Sequence, residues 1–249
     1  MEFLEKQKKL LEEGKSYECG INIINRTKRY LAQNKHQEAS ELSLNGSSLL
    51  LKHDNPEAAK QLLDMTVKAA EQVTPDFEQV EYVYNLLRSP EDSNFLKQLA
   101  KNCKDSRIFG LVARALDDEG NLGQALVYWV AGSNLREIVR TLQVLIDRGY
   151  PSETDLFVSR CVFLLLGFKN LDLAKRVLDQ FRYLDTPLMN FSKFLVEALA
   201  SEQHNLIEYL KEKYQPSLKR DPHLEKYIAK VEKVYLGKET SQSIFRLLG

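Results

Sequence analysis

Apolar side chains recur along this chain every three to four residues, and short polar stretches interrupt the repeat. The segment 14–42 shows the pattern most completely. Its first apolar stripe consists of Ile21, Ile24 and Leu31. The stripe stops at a polar turn around Asn34, and a second periodic run begins near Ala39. Because residues at this spacing share one face of a helix, the segment predicts two helices joined by a turn, with Ala39 small enough to let them approach closely.

Three later segments begin like the second helix of this pair, with a turn, an alanine, and an apolar residue three positions further on. They are residues 57–62, 123–128 and 172–177. Repeated helix pairs that need a neighbour to cover their apolar faces are typical of an α-solenoid. The spacing between the starts is irregular, which indicates a degenerate, tetratricopeptide-like repeat. We therefore predict an all-α chain, an α-solenoid of about fourteen helices in antiparallel hairpins, with a compact helical bundle as the alternative.

The chain of 249 residues has room for one or two domains. Its seven prolines lie at the boundaries of the periodic segments, where a proline in the first turn of a helix loses no hydrogen bond. No segment shows the sustained alternation of apolar and polar residues that indicates a strand. We predict one continuous solenoid with an N-terminal half at residues 1–132 and a C-terminal half at residues 133–249.

Charge and cysteine content exclude several classes of protein. Lys plus Arg and Asp plus Glu number 35 each, so the whole chain has no general attraction for nucleic acid or anionic lipid. The three cysteines are far apart, which indicates buried thiols and not a disulfide framework. The N-terminus is charged and amphipathic, unlike a signal peptide, and the best apolar run, 161–168, is too short to span a membrane. We expect a cytosolic protein with no direct membrane insertion.

No catalytic motif is recognisable. The chain has no phosphate-binding glycine loop and no nucleophile elbow, and its histidines lack the spacing of metal ligands on one helix. The tight carboxylate cluster at 117–119 precedes Gly120, which is typical of the end of a helix. Trp129 and its neighbour Tyr128 are interpreted as core residues. The sequence therefore predicts a protein that is not an enzyme and needs no metal or cofactor.

One charged surface is predicted on the helix that contains Ile24. Arg26 and Arg29 lie roughly 140° to 200° around the helix from Ile24, so they face away from the core. Forked guanidinium groups are suited to bidentate contact with carboxylates of a partner protein, although a plain solvated face is the alternative interpretation. We also expect the acidic start of the fourth helix, at Glu57, to lie beside these arginines and form a patch of mixed sign.

The C-terminal third stays apolar and aromatic to the end of the chain, including residues 244–248. A terminal solenoid repeat normally has a polar outer face. Two alternatives follow: the C-terminal tail folds back and caps the last helices, or a partner protein covers them.

Three stretches of the sequence carry a resemblance to a known family. They are the N-terminal pattern Gly14-x-x-Tyr17-Glu18, Arg29-Tyr30 and Glu38-Ala39-x-Glu41-Leu42, the stretch 149–158, and the stretch 214–222. The third is the most specific, because helix periodicity does not require it. Together they resemble the Golgi-to-ER traffic protein 4 family, the scaffold subunit of the transmembrane-domain recognition complex. The resemblance implies an α-solenoid adaptor in the targeting of tail-anchored membrane proteins.

The resemblance also implies partners. In the family, the N-terminal half binds the targeting ATPase of the GET pathway. The C-terminal half holds a ubiquitin-like partner, through which a tetratricopeptide co-chaperone is reached indirectly. The expected ATPase-binding residues are Tyr17, Arg26, Arg29, Tyr30 and Glu57. The expected residues for the ubiquitin-like partner are Leu188, Phe191, Tyr214, Leu218 and Tyr235. The linker 181–188 is short beside a hairpin insertion of the family that embraces this partner.

Two other functions are compatible with the sequence. A helical-repeat structural subunit of a large cytosolic assembly is the first alternative, although the winged-helix or sheet module expected after such a solenoid is missing. An enzyme ranks third.

Overall fold

The computed structural model describes residues 2–87, 93–103 and 105–237. These residues form fifteen α-helices and a short 3-10 turn at Pro151–Glu153, and none of them lies in a strand. The first seven helices are α1 (Glu2–Glu12), α2 (Ser16–Ala32), α3 (His36–Lys52), α4 (Pro56–Ala69), α5 (Phe77–Leu86), α6 (Ser93–Asn102) and α7 (Ser106–Asp118). The other eight are α8 (Leu122–Ala131), α9 (Leu135–Arg148), α10 (Thr154–Gly167), α11 (Leu171–Gln180), α12 (Pro187–Ala200), α13 (Leu206–Lys213), α14 (Gln215–Leu218) and α15 (Pro222–Tyr235).

The prediction of an all-α chain of solenoid type is confirmed. The chain divides into two compact units, Met1–Ala115 (unit 1) and Leu116–Gly249 (unit 2). In unit 1 the helices α1 to α4 pack consecutively on one another, and in unit 2 the consecutive helices from α8 to α15 do so. The apolar tail at 244–248 lies outside the described residues. No described helix is both long enough and apolar enough to cross a membrane.

One turn geometry recurs between the helices and explains the repeated starts in the sequence. In seven turns a residue in the left-handed region follows the helix, with φ between 51° and 77°. These residues are Gly14, Asn34, Asp54, Gly120, Ser133, Lys169 and Glu202. The N–H of the next residue donates to the carbonyl five positions back, as in Lys35 to Tyr30 and Asn55 to Leu50. This hydrogen bond closes the preceding helix, and in six of the seven turns the next helix begins directly after the donor residue.

Asparagine side chains cap four of the helices that follow these turns. Asparagines precede α4, α8, α9 and α11, and the side-chain oxygen of each accepts a hydrogen bond from an N–H three residues later. Such caps satisfy a backbone donor that has no partner inside the helix. The end of α7 agrees with the sequence interpretation, because Gly120 has a φ of 77° and its N–H donates to the carbonyl of Asp117.

The core of unit 1 lies between α2, α3 and α4, which approach closely. A Cβ atom on Gly46 would lie 2.6 Å from Ile23 Cγ2 and 2.9 Å from Leu62 Cδ1, so the space admits only glycine without rearrangement. Ala39 is fully buried in the same region, as predicted.

The predicted buried stripe of α2 is partly wrong. Ile24 is buried, but Leu31 is only half-buried and Ile21 is 38% exposed. The stripe is built instead from Cys19, Gly20, Ile23, Ile24 and Thr27. Small and polar residues occupy this stripe because α2 lies close to its neighbouring helices. A search of the sequence for large apolar side chains does not detect such residues.

The core of unit 2 surrounds α10, which is buried along most of its length and packs on α8, α9, α11, α12 and α15. A helix that is apolar on all sides is expected at such a position. Trp129 and Tyr128 of α8 are core residues, as predicted. All three cysteines are buried free thiols, which also agrees with the prediction, and burial raises the pKa of the Cys19 thiol to about 11.

Candidate binding surfaces

The predicted ATPase-binding residues fall into two groups at opposite ends of α2. Asn55 Nδ2 donates to Ser16 Oγ over 3.0 Å, so the start of α4, with the exposed Glu57, lies beside the start of α2. Tyr17 is 79% exposed at this end. Arg29 is thirteen residues beyond Ser16, which corresponds to about 20 Å along the helix axis. The expected mixed patch of Glu57 and the arginines is therefore wrong, because α2 and α4 align at their first turns.

The other end of α2 carries the basic surface. Arg26 and Arg29 are both exposed, which confirms that they face away from the core, and Tyr30 is half-buried. Arg26 Nε donates to Tyr30 Oη over 3.1 Å, and the guanidinium carbon lies 4.3 Å from the ring centroid of Phe3 in α1. Within the described residues, the guanidinium of Arg29 makes no hydrogen bond or ion pair. We call Arg26 and Arg29 with the two rings the basic end of α2.

Three of the residues predicted to bind the ubiquitin-like partner are in the core of unit 2. Leu188 and Phe191 are fully buried, and Leu218 is 4% exposed. Phe191 packs against Phe163 and Tyr214, with ring centroids 5.8 Å and 5.9 Å away. The fold itself covers these three side chains, which corrects the expectation that they form an accessible surface. Tyr214 and Tyr235 are half-buried.

An apolar groove between α12 and α13 offers the accessible surface instead. Its exposed apolar members are Phe194 at 45%, Leu206 at 39% and Tyr209 at 58%. The groove has a volume of about 340 Å³, and the ammonium of Lys213 at its edge lies 5.9 Å from the ring centroid of Tyr209. Sequence analysis missed all three as binding residues, although Leu206 and Tyr209 carry a detectable signal. The detectable signal is that each directly precedes a core residue of α13, Ile207 or Leu210, so the short helix has a second apolar stripe.

A second groove, of about 350 Å³, lies between α13, α14 and α15. Glutamates 208, 212, 225 and 232 line it. Lys211 donates to Glu208 over 3.1 Å and to Glu232 over 2.8 Å, which ties α13 to α15.

One ion pair joins the stretches 149–158 and 214–222, which sequence analysis singled out, and a second links Asp221 to Arg160, just beyond the first stretch. Arg220 donates to both carboxylate oxygens of Asp155, at distances of 2.7 Å and 3.1 Å, and to the carbonyl of Ser152 at a distance of 2.7 Å. Arg160 Nε donates to Asp221 over 2.6 Å. Both carboxylates are buried, at 4% and 3% exposure. These ion pairs attach the start of α15, which lines the second groove, to α10.

The Asp221 pair predicts a dependence of stability on pH. Burial raises the pKa of the Asp221 carboxyl. The hydrogen bonds from Arg160 and from the His223 N–H lower this pKa by more than burial raises it, so the pKa lies below its usual value of 3.8. A group with a depressed folded-state pKa stabilises the fold above its unfolded pKa, and this stability is lost as pH falls through the folded pKa. We expect Asp221→Asn, which keeps the helix cap, to cost about 1–3 kcal/mol at about pH 6.

The cost of Asp221→Asn should shrink as pH falls below about 4, because the carboxyl of the unfolded wild-type protein is protonated there and that of the folded protein follows at lower pH. Urea unfolding of the two proteins across this pH range measures the difference, and other carboxylates cancel because both proteins contain them. A cost that does not change with pH would show that the charge of Asp221 contributes nothing.

Comparisons with known proteins agree with the resemblance found in the sequence. The family model described as Golgi to ER traffic protein 4 matches residues 33–249, beginning at the turn after α2. The Golgi to ER traffic protein 4 homolog of Oryzias latipes is 28% identical over 94% of this chain and 80% of its own length. The homolog of Homo sapiens is 27% identical over 94% of this chain and 79% of its own length.

A solved structure shows the same fold. The crystal structure of C. therm. Get4 matches 98% of this chain and 93% of its own chain, with a TM-score of 0.71 and 17% sequence identity. The family match covers far more than half of the chain. This protein therefore belongs to the Golgi to ER traffic protein 4 family and has a role in Golgi-to-ER traffic.

Proposed function

We propose that this chain is a non-catalytic adaptor in the post-translational targeting of tail-anchored membrane proteins to the ER. It bridges the targeting ATPase of the GET pathway and a ubiquitin-like partner, which in turn recruits a tetratricopeptide co-chaperone in the cytosol. The observation that supports this proposal is the presence of two exposed surfaces of different chemistry, one on each unit. These are the basic end of α2 in unit 1 and the apolar groove in unit 2.

The targeting ATPase is assigned to the N-terminal half, residues 1–132. Arg26 and Arg29 supply exposed guanidinium groups for carboxylates of the ATPase, and Tyr30 borders them. Tyr17 and Glu57 form a second contact about 20 Å away along α2. Contacts at both ends of one helix orient a partner better than a single patch does, and the exposed charges steer its approach.

The ubiquitin-like partner is assigned to the C-terminal half, residues 133–249. Exposed apolar side chains that form one groove commonly mark a protein-binding site. Phe194 and Tyr209 provide the accessible rings, and Tyr214 lies beneath them with its ring centroid 6.4 Å from that of Phe194. Phe191 supports this surface from the core through its contact with Tyr214, whereas Leu188 and Leu218 are buried and Tyr235 is half-buried in α15.

Arg29→Glu should weaken binding of the targeting ATPase about tenfold or more at low salt, because it reverses one exposed charge of the basic end of α2. The loss should be smaller at high salt. Titration calorimetry with the purified ATPase measures both affinities, and circular dichroism verifies that the variant keeps its helices.

The matched control is Arg136→Glu, which makes the same exchange at an exposed position in α9 of unit 2. It should leave the affinity for the ATPase unchanged. Arg29→Glu should also bind the ubiquitin-like partner as the wild type does, because the two proteins occupy different units. Equal affinities of both variants and the wild type for the ATPase would remove Arg29 from the interface.

A further inference from the structure

Helix α1 is anchored on α2 by a row of side chains at spacings of four residues. Gln7 is 4% exposed and Leu11 is 6% exposed, on the face of α1 that packs on α2. Asn22 Nδ2 donates to Gln7 Oε1 over 3.3 Å. Phe3 lies four residues before Gln7 on α1, and Arg26 lies four residues after Asn22 on α2. The contact between these two residues therefore continues the row that fixes α1.

The guanidinium of Arg26 is held by two aromatic rings. Its carbon atom lies 4.3 Å from the ring centroid of Phe3 and 5.6 Å from that of Tyr30. Nε donates to Tyr30 Oη over 3.1 Å. Stacking on a ring and a hydrogen bond at Nε together fix the plane of a guanidinium.

The outer edge of this guanidinium has no partner in the part of the chain that the structure describes. Neither terminal nitrogen of Arg26 donates a hydrogen bond there. The nearby carboxylates of α1 pair with lysines of the same helix: Glu5 with Lys8 at 2.7 Å and Glu2 with Lys6 at 3.5 Å. The two terminal nitrogens can thus form the parallel pair of hydrogen bonds that a carboxylate accepts.

We propose that Phe3 and Tyr30 are positioning residues, which hold Arg26 as a preformed fork for a carboxylate of the binding partner. Helix α1 is then part of the docking surface, because it supplies one of the two rings. This inference rests on the proposed function, which makes the carboxylate an Asp or Glu side chain of the targeting ATPase. Holding the fork before binding reduces the side-chain entropy that is lost when the complex forms.

The test compares two substitutions of Phe3 in the full chain. Phe3→Leu keeps an apolar side chain but removes the ring, and it should weaken binding of the targeting ATPase about two- to fivefold. Phe3→Tyr keeps the ring and should bind as the wild type does. In an Arg26→Ala background, Phe3→Leu should have no further effect, because the fork that it positions is gone.

A second measurement separates positioning from general stability. The order parameter of the Arg26 Nε–Hε bond, measured by NMR on the free protein, should fall in Phe3→Leu and stay at the wild-type value in Phe3→Tyr. Urea unfolding checks that both variants are folded. An unchanged affinity of Phe3→Leu, an unchanged order parameter, or an equal loss with and without Arg26 would each overturn the positioning role.

The two proposals fail in different ways. If Arg29→Glu weakens binding and Phe3→Leu does not, the adaptor function stands and the positioning role is wrong. If the wild-type protein does not bind the targeting ATPase at all, the proposed function fails, and the carboxylate assigned to Arg26 is withdrawn with it.

Discussion

Arg220→Met should lower the free energy of unfolding of unit 2 by about 2–3 kcal/mol, because it leaves the buried carboxylate of Asp155 without its cation. Breaking a fully buried pair commonly costs about 3–5 kcal/mol, but the Arg220 side chain is 38% exposed, and solvent reduces the effect. Methionine keeps most of the apolar stem. The loss therefore comes from the charge and its hydrogen bonds.

Trp129, the only tryptophan of the chain, makes this measurement specific. It is buried in α8 of unit 2, so its fluorescence reports unfolding of that unit in urea. Lys219→Met, at the exposed neighbouring position, is the control and should change stability by less than about 0.5 kcal/mol. Combining Arg220→Met with Asp155→Asn should cost less than Arg220→Met alone, since no buried charge then lacks a partner. A double variant that is less stable than the single one would contradict this explanation.

The helices and turns of this protein follow from local sequence. A helix that ends in a left-handed residue, followed by a capping residue, needs only neighbours in the chain, and the restarts after Asn34 and Asp54 therefore appear in the pattern. The face of α2 that is buried does not follow in the same way. Ile21 and Ile23 have identical side chains, and only the position of α3 and α4 decides that Ile23 is buried and Ile21 is exposed.

The candidate surfaces required contacts that are distant in sequence. Arg26 is recognisable as an outward-facing arginine from its angle on the helix, but its stacking on Phe3 depends on how α1 packs. The stretch 214–222 is recognisable as a motif in the sequence, but the sequence alone shows no structural reason for it. The reason is the pairing of Arg220 with Asp155, 65 residues earlier.

In α12, the abundance of apolar residues hid the difference between core and surface. Phe191 and Phe194 are three residues apart in one apolar helix, and the sequence alone does not show which ring is covered. Phe191 is fully buried because Phe163 and Tyr214 enclose it, whereas Phe194 is 45% exposed at the groove. The expected binding residues therefore include the core ring, Phe191, and not the exposed ring, Phe194.

Phe191→Ala should lower the free energy of unfolding of unit 2 by about 3–5 kcal/mol, because it removes a fully buried ring and leaves a cavity. The substitution also removes the edge-on contact of this ring with Phe163, whose interplanar angle is 89°. Trp129 fluorescence in urea measures the loss. Binding of the ubiquitin-like partner to Phe191→Ala should be reduced only to the extent that the variant is unfolded at the temperature of the assay.

For Tyr209→Ala we expect the opposite result, a loss of binding with little loss of stability, since this ring is 58% exposed in the apolar groove. Its cost in unfolding free energy should be below about 1 kcal/mol, while the affinity for the ubiquitin-like partner should fall about tenfold or more. The two variants separate the core that supports the groove from the groove itself. A folded Phe191→Ala protein with normal stability and lost binding would place the interface in the core of unit 2, which would require the partner to open the contact between α12 and Tyr214.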